Sequence, residues 1–149
     1  MIAATLKEEK LTFFMSQVMS IASVEALFEK ARAVCSRLNF HEEALSVARS
    51  DFHACRTAVD RLQRIQDQDQ MKRALAELHL AEYKLNFMTL HKAVFRAELN
   101  HLKCMIWLEE FSLPSTIKMQ LRINAQRPHP EPGVDICINE FMANVNIRQ

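Results

Sequence analysis

Glycine is almost absent from this chain, since Gly133 is the only one among 149 residues. Four prolines accompany it, and three of them stand in the same stretch as the glycine, residues 124–133. This scarcity favours long helices, because glycine and proline are the residues least compatible with a helix interior. Loops that cradle phosphates or dinucleotides need several glycines where the backbone approaches the ligand. The sequence therefore argues against P-loop and Rossmann enzymes.

The composition is that of one folded domain with balanced charge. Apolar residues make up 49% of the chain, and 19 lysines and arginines face 18 aspartates and glutamates. The four cysteines, Cys35, Cys55, Cys104 and Cys137, form no C-x-x-C pair. The first ten residues lack a signal-peptide pattern, and the strictly apolar runs are too short to cross a bilayer. We expect a cytoplasmic or nuclear protein with reduced thiols and no membrane partner.

Hydrophobic periodicity predicts four helices, which we expect to form an antiparallel long-helix bundle of two α-hairpins. The first begins at a capping box led by Thr5, and the second begins after Ser23. A tight connection at "RLNFHEE" leads to a third helix over about residues 41–66. Its apolar positions alternate in steps of three and four, a coiled-coil-like seam of Leu45, Ala48, Phe52, Cys55, Val59 and Leu62.

The fourth helix, about residues 71–112, carries two apolar stripes with a seven-residue repeat on opposite sides. The first stripe consists of Leu80, Tyr83, Phe87, Leu90, Val94, Ala97, His101, Cys104, Leu108 and Phe111. The second consists of Leu78, Ala81, Leu85, Met88, Lys92, Phe95, Leu99, Leu102 and Ile106. A helix that is apolar on two faces lies between two neighbours. One neighbour could be a second chain, and a bend near Asn86 is an open alternative to a single helix.

Beyond Pro114 the pattern changes to period two. Residues 117–123 and 134–138 alternate apolar and polar side chains on either side of the proline-rich loop. Strict alternation predicts a small C-terminal β-hairpin, with a helix from Ser115 as the alternative for residues 115–125. The predicted organisation is a helical bundle over residues 1–112 and an extension over residues 113–149 packed on it, in one structural domain.

Short motifs on the fourth helix raise the question of a metal site. Two pairs of candidate ligands have a spacing of three residues, which places both members on one helical face. The pairs are His79 with Glu82 and Glu98 with His101, and Cys104 follows the second pair. His79 and His101 lie 22 residues apart, about 33 Å along a helix, which is too far to share an ion within one chain. We therefore expect no metal and no cofactor.

Catalytic patterns are also weak. Cys55 and Cys104 occupy seam positions, where a buried cysteine behaves as a small hydrophobe. His53 is two residues from Cys55, and residues two apart on a helix do not face each other. No Gly-x-Ser-x-Gly motif is present. We expect a protein that is not an enzyme and has no small-molecule substrate.

The sequence favours a non-catalytic interaction or assembly module, a scaffold that associates with itself or docks a partner helix. The candidate partner-binding residues lie on the fourth helix: Phe87, Leu90, Val94, His101, Trp107 and Leu108. Trp107 is included because it lies off both stripes and tryptophan is enriched at interface hot spots. The alternative is a dimeric helical protein that binds double-stranded nucleic acid. Its candidate residues form a basic stripe on the third helix: Arg49, His53, Arg56 and Arg64.

Overall fold

The computed structural model describes the backbone of residues 2–147 and the side chains of residues 5–143 and Val145. The described chain forms four α-helices. They are α1 (Ile2–Leu62), α2 (Gln68–Glu110), α3 (Ser115–Ala125) and α4 (Pro132–Ile147). Within residues 2–147 there is no strand. The protein is therefore mainly helical, and its helices pack as a helical bundle, as the sequence predicted.

Helix α1 is one continuous helix where the sequence predicted three. Thr5, Ser23 and Asn39 all lie inside it, and no residue in the described chain takes a positive φ. The expected breaks at Ser23 and "RLNFHEE" were wrong, because serine and asparagine can cap a helix but do not interrupt one. Residues 2–62 contain neither glycine nor proline, so nothing in the local sequence forces the helix to end.

The connection between α1 and α2 is short and capped. Helix α1 ends in a tight turn, where the amide of Ile65 donates a hydrogen bond to the carbonyl of Leu62 at 3.0 Å. The carboxylate oxygen Oδ1 of Asp67 accepts hydrogen bonds from the amides of Asp69 (3.1 Å) and Gln70 (3.3 Å). Asp67 thereby satisfies two amides in the first turn of α2, which is the role of an N-cap. Residues 66–70, "QDQDQ", therefore form the end of the connection and the first residues of α2.

Helix α2 runs without interruption from Gln68 to Glu110, which confirms a single helix and decides against a break near Asn86. Pro114 marks the next start, because its carbonyl accepts a hydrogen bond from the amide of Lys118 at 3.0 Å in the first turn of α3. Proline stops the preceding helix because it cannot donate a backbone hydrogen bond.

The predicted C-terminal β-hairpin is wrong. Residues 115–125 form α3, which was the alternative that the sequence left open, and residues 132–147 form α4. In α3 the buried residues are Leu121 and Ala125, four apart, while Met119 and Ile123 of the expected strand are exposed. A spacing of four is helical, so the alternation in the sequence does not match the burial. Pro132 suits the first position of α4, where a missing amide proton costs nothing.

The chain divides into two compact units. Unit 1 comprises the residues up to Ser36 and those from Ala97 onward, and unit 2 comprises Arg37–Arg96. In unit 1 each of α1, α2, α3 and α4 contributes buried apolar side chains. The ring of Phe28 on α1 meets that of Phe141 on α4 edge to face, with 6.5 Å between their centroids. The fully buried core includes Val24, Val34, Cys35, Ile106, Val134, Met142 and Val145.

Candidate docking surface

Unit 2 is an antiparallel hairpin of two helix segments joined by a seam. On α1 the residues predicted for the seam are all buried or half-buried: Leu45, Ala48, Phe52, Cys55, Val59 and Leu62. On α2 the second predicted stripe is likewise covered over its unit 2 part: Leu78, Ala81, Leu85, Met88, Lys92 and Phe95. The heptad spacing seen in the sequence therefore does mark the face on which these two helix segments pack.

Polar contacts of His41 and Lys92 fix the register of this hairpin. His41 on α1 is hydrogen-bonded through Nε2 to the carbonyl oxygen of Met88 on α2. A carbonyl can only accept, so Nε2 carries the proton. The same imidazole lies against the ring of Phe95 at 5.5 Å between centroids. The next residue on α1, Glu42, forms an ion pair with Lys92, which lies one turn after Met88 on α2. These contacts determine which face of α2 is left uncovered in unit 2.

The first predicted stripe of α2 is exposed over the whole of its unit 2 part. These residues are Leu80, Tyr83, Phe87, Leu90 and Val94, and we call them the α2 face. Phe87 is 51% exposed and Leu90 67% exposed, whereas core residues of the same unit, such as Leu45, are at 0%. Single exposed apolar residues are normal on a protein surface, but five at heptad spacing on one helix form a contiguous surface.

The aromatic side chains of the α2 face are already packed against one another. The rings of Tyr83 and Phe87 stack at 6.5 Å between centroids with an interplanar angle of 15°. Phe87 also lies 4.5 Å from the imidazole of His91, which in turn lies 6.0 Å from that of His41. Since these rings hold each other in place, a partner that covers them loses little side-chain entropy by ordering them.

A groove borders the α2 face at Leu80. It holds about 300 Å³ and is lined by small or short side chains of α1 and by neighbouring residues of α2: Ala48, Asp51, Ala54, Cys55, Glu77, Leu80, Ala81 and Lys84. Three alanines leave the space between the two helices unfilled at this point. An apolar side chain from a docked helix would fit there between Asp51 and Lys84, at the rim of the apolar surface.

The other predicted partner-binding residues belong to unit 1. His101 and Leu108 are exposed on α2. Trp107 is 38% exposed and contacts Phe111 with 6.1 Å between ring centroids in an edge-to-face arrangement. The covered positions of α2 near His101 are Leu102 and Ile106.

The motifs considered for a metal are spread along an exposed surface. His79 and Glu82 lie in unit 2, Glu98, His101 and Cys104 lie in unit 1, and all five side chains are exposed. In the part of the chain that the structure describes, no group of three or more histidine, cysteine, aspartate or glutamate side chains could hold a metal ion.

A contact between two cysteines was not visible in the sequence. Sγ of Cys137 on α4 lies 2.7 Å from Sγ of Cys35 on α1 and donates a hydrogen bond to it, although 102 residues separate them. The neighbouring Cys137 thiol and the burial of the site both raise the pKa of the Cys35 thiol. A thiol with a raised pKa is a poor nucleophile, so this pair contributes to packing in unit 1.

The basic stripe of the alternative function is only partly on a helix. Arg49, His53 and Arg56 are exposed on one face of α1 in unit 2, while Arg64 follows the end of α1 in the turn. Asp60 shares the face of Arg49 and Arg56 at helical spacing.

Comparison with known proteins gives no relative, since no protein-family model, curated protein or solved structure matches the chain.

Proposed function

We propose that this protein is a non-catalytic assembly module that associates through the α2 face. The observation that carries the proposal is the exposure of Leu80, Tyr83, Phe87, Leu90 and Val94 on a helix whose opposite side is packed against α1. Surfaces of this kind, apolar at the centre and rimmed by charge, mark sites of protein–protein interaction. A helix with the same heptad spacing would fill the spaces between these side chains.

The charges around the α2 face favour a second copy of the chain as the partner. The α2 face is bordered by exposed side chains of both signs, Glu77 and Lys84. In a two-fold interface the same surface is used by both copies, so each must offer partners for its own charges. Mixed charges at the rim meet that condition, and opposite charges in flanking positions set orientation in helical pairs. An amphipathic helix of another protein would use the same face.

The test is the mass in solution, measured by light scattering on a sizing column across a concentration series. We expect the mass to rise from the 17.3 kDa formula mass towards that of two chains. Phe87→Glu combined with Val94→Glu should weaken the association at least about tenfold, because each carboxylate would be buried without a partner.

The matched control is Ser50→Glu combined with Thr89→Glu. Both residues are exposed in unit 2, neither belongs to the α2 face or to the positions that flank it, and the added charge is the same. The control should associate as the wild type does. Equal weakening in both variants would mean that net charge decides the association. A wild type that stays at the monomer mass at every concentration would overturn self-association.

A second candidate function rests on the exposed row of Arg49, His53 and Arg56 on α1. Three basic side chains on one helical face can follow the phosphates of a duplex. Their binding releases counterions from the duplex, and this contribution to affinity falls as the salt concentration rises. Arg49→Glu with Arg56→Glu should abolish a gel shift of double-stranded RNA or DNA at low salt. Lys72→Glu with Arg73→Glu, which are exposed on α2, is the control. The absence of any shift with wild-type protein would end this candidate.

A further inference from the structure

The first part of α1 carries an uncharged apolar stretch. Between Lys10 and Glu25 there is no charged side chain. Among the described residues, α1 is the one helix that is long enough and apolar enough to cross a membrane, judged by length and composition alone. The core helix of a protein in water can be equally long and apolar. The exposure of the stretch distinguishes a core helix from one that contacts lipid.

The stretch is exposed, unlike a core helix. The exposed apolar side chains are Leu11, Phe13, Phe14, Met15, Val18 and Met19, and Met19 reaches 69%. Burial begins further along the helix, where Val24 is at 0% and Leu27 and Phe28 belong to the core of unit 1. Helix α1 therefore has a part that is packed in unit 1, preceded by a part whose apolar surface is uncovered.

The uncovered part has an apolar and a polar side, and its polar side lacks charge. Leu11, Phe14, Met15, Val18 and Met19 recur at helical spacing and share one face. The other side presents the hydroxyls of Thr12, Ser16 and Ser20 together with the ring of Phe13. The hydroxyl of Thr12 donates a hydrogen bond to the carbonyl oxygen of Glu8 in its own helix at 2.8 Å. A hydroxyl satisfied within its helix tolerates low-polarity surroundings better than one that needs water.

This surface differs from the α2 face in its lack of charge, which is the feature that separates a lipid-binding surface from a protein-binding one. The α2 face is bordered by Glu77 and Lys84, whose charges give a protein partner orientation and specificity. Residues 11–24 offer no charge for such a partner to read. Bulky apolar side chains without charges suit a bilayer, whose acyl region selects for apolar area and against ions.

We infer that residues 11–22 of α1 insert into one leaflet of a lipid bilayer, with the helix lying in the plane of the membrane and the face of Phe14 and Val18 towards the acyl chains. The fourteen uncharged residues measure about 21 Å along a helix, less than the roughly 30 Å of a hydrocarbon core. Extension of the stretch beyond Val24 would remove core residues from unit 1. The inference departs from the expectation of no membrane partner, and it does not depend on the α2 face.

The experiment uses the full chain and neutral phosphatidylcholine vesicles in a flotation assay. We expect the wild type to float with the vesicles, and to do so about equally at low and high salt because no charge drives the binding. Val18→Asp should lower the partition coefficient at least about tenfold, since the carboxylate would enter the acyl region. Ser16→Asp places the same charge on the polar side and should bind within about twofold of the wild type.

Both positions are exposed, so neither change removes a contact in the core, and helix content by circular dichroism should be equal in the two variants. A wild type that does not float overturns the inference. Equal loss of binding in both variants, with wild-type protein that resists carbonate extraction, would show a spanning helix and overturn the in-plane geometry. An oligomer without lipid that is lost in Val18→Asp and kept in Ser16→Asp would show that a second copy covers this face, and it would overturn the lipid assignment.

Discussion

Arg122 on α3 donates a hydrogen bond from Nη2 to Oε2 of Glu110, the last residue of α2, across 2.7 Å in unit 1. Glu110 is 1% exposed, and Oε1 of the same carboxylate has no hydrogen-bond partner within the described part of the chain. The guanidinium is therefore the main compensation for burying this carboxylate. The pair joins the end of α2 to α3 across the turn that Pro114 terminates.

The first prediction concerns this pair. Arg122→Met should lower the free energy of unfolding by about 3–5 kcal/mol, because it leaves a buried carboxylate without its cation. Adding Glu110→Met should restore most of the loss, since a buried ion pair replaced by apolar side chains of similar volume is often neutral. Urea denaturation of the wild type, the single variant and the double variant measures both steps. A double variant as unstable as the single one would show that the pair itself, not the unpaired charge, stabilises the unit.

The second prediction concerns Arg32, which is buried on α1. Its Nη1 donates hydrogen bonds to the carbonyl oxygens of Ala125 (3.1 Å) and Arg127 (2.9 Å), where α3 ends. These carbonyls lie beyond the last intrahelical donors, so the guanidinium acts as a cap supplied by another helix. Arg32→Met should cost about 2–3 kcal/mol in thermal or urea unfolding, and Lys30→Met, an exposed neighbour, less than about 0.5 kcal/mol. Equal losses in the two variants would contradict this role.

The third prediction concerns pH. Arg127 lowers the pKa of Glu29 through a hydrogen bond and ion pair at 2.6 Å, and the charge of Arg32 adds to the effect. Because the folded pKa lies below the unfolded one, the stabilisation is present above the unfolded pKa and is lost as the pH falls through the folded pKa. Both side chains of the pair are about half exposed, so solvent screening keeps the contribution of the ion pair to the free energy of unfolding below about 1 kcal/mol.

The pKa of Glu29, followed by carbon-detected NMR titration, should rise towards its usual value in Arg127→Met and stay lowered in Arg127→Lys. Glu29→Gln should destabilise the protein slightly at neutral pH and not at all in acid below the folded pKa. An unchanged pKa in Arg127→Met would show that Arg127 is not the cause.

The fourth prediction concerns thiol reactivity. Cys35 is fully buried and its pKa is raised by Cys137 and by burial, whereas Cys104 is exposed. With an aromatic disulfide reagent at pH 8, Cys104 should react first, and Cys35 on the order of a hundredfold more slowly. Cys104→Ser should remove the fast phase, and denaturant should make all four cysteines react. A fast phase that disappears in Cys35→Ser would contradict the packing of Cys35 against α4.

The helices were predictable from sequence more readily than their ends. The apolar residues from Val24 to Leu38 and the seam from Leu45 to Leu62 recur at helical spacing, yet both lie on one helix. A candidate cap such as Ser23 ends a helix only where something else breaks it. At the C-terminus the alternation of Ile117 to Ile123 matched a strand locally. The helical spacing of Val134, Ile138, Phe141 and Val145, all buried, was present in the sequence and would have indicated α4.

The sequence predicted two apolar stripes on α2, but it did not predict which of the two is exposed. Leu85 and Leu90 are equally apolar, and the spacing of each stripe is the same. What separates them is the hydrogen bond of His41 to the carbonyl of Met88 and the contact of His41 with Phe95, which depend on residues about fifty positions away. Burial is a property of the packed pair of helices, so periodicity within α2 could not assign it.

The last prediction separates folding from association in unit 2 with two leucine substitutions. Leu45 is fully buried in the seam of α1, so Leu45→Ala should lower the free energy of unfolding by about 2–5 kcal/mol through lost burial and the cavity left behind. Leu90 is exposed on the α2 face, and Leu90→Ala should change the stability of the monomer by less than about 0.5 kcal/mol while it weakens self-association. Urea unfolding at low protein concentration measures the first quantity, and light scattering at high concentration measures the second. If Leu90→Ala destabilised the dilute monomer as much as Leu45→Ala, the α2 face would be covered within a single chain, and the proposed assembly role would lose its surface.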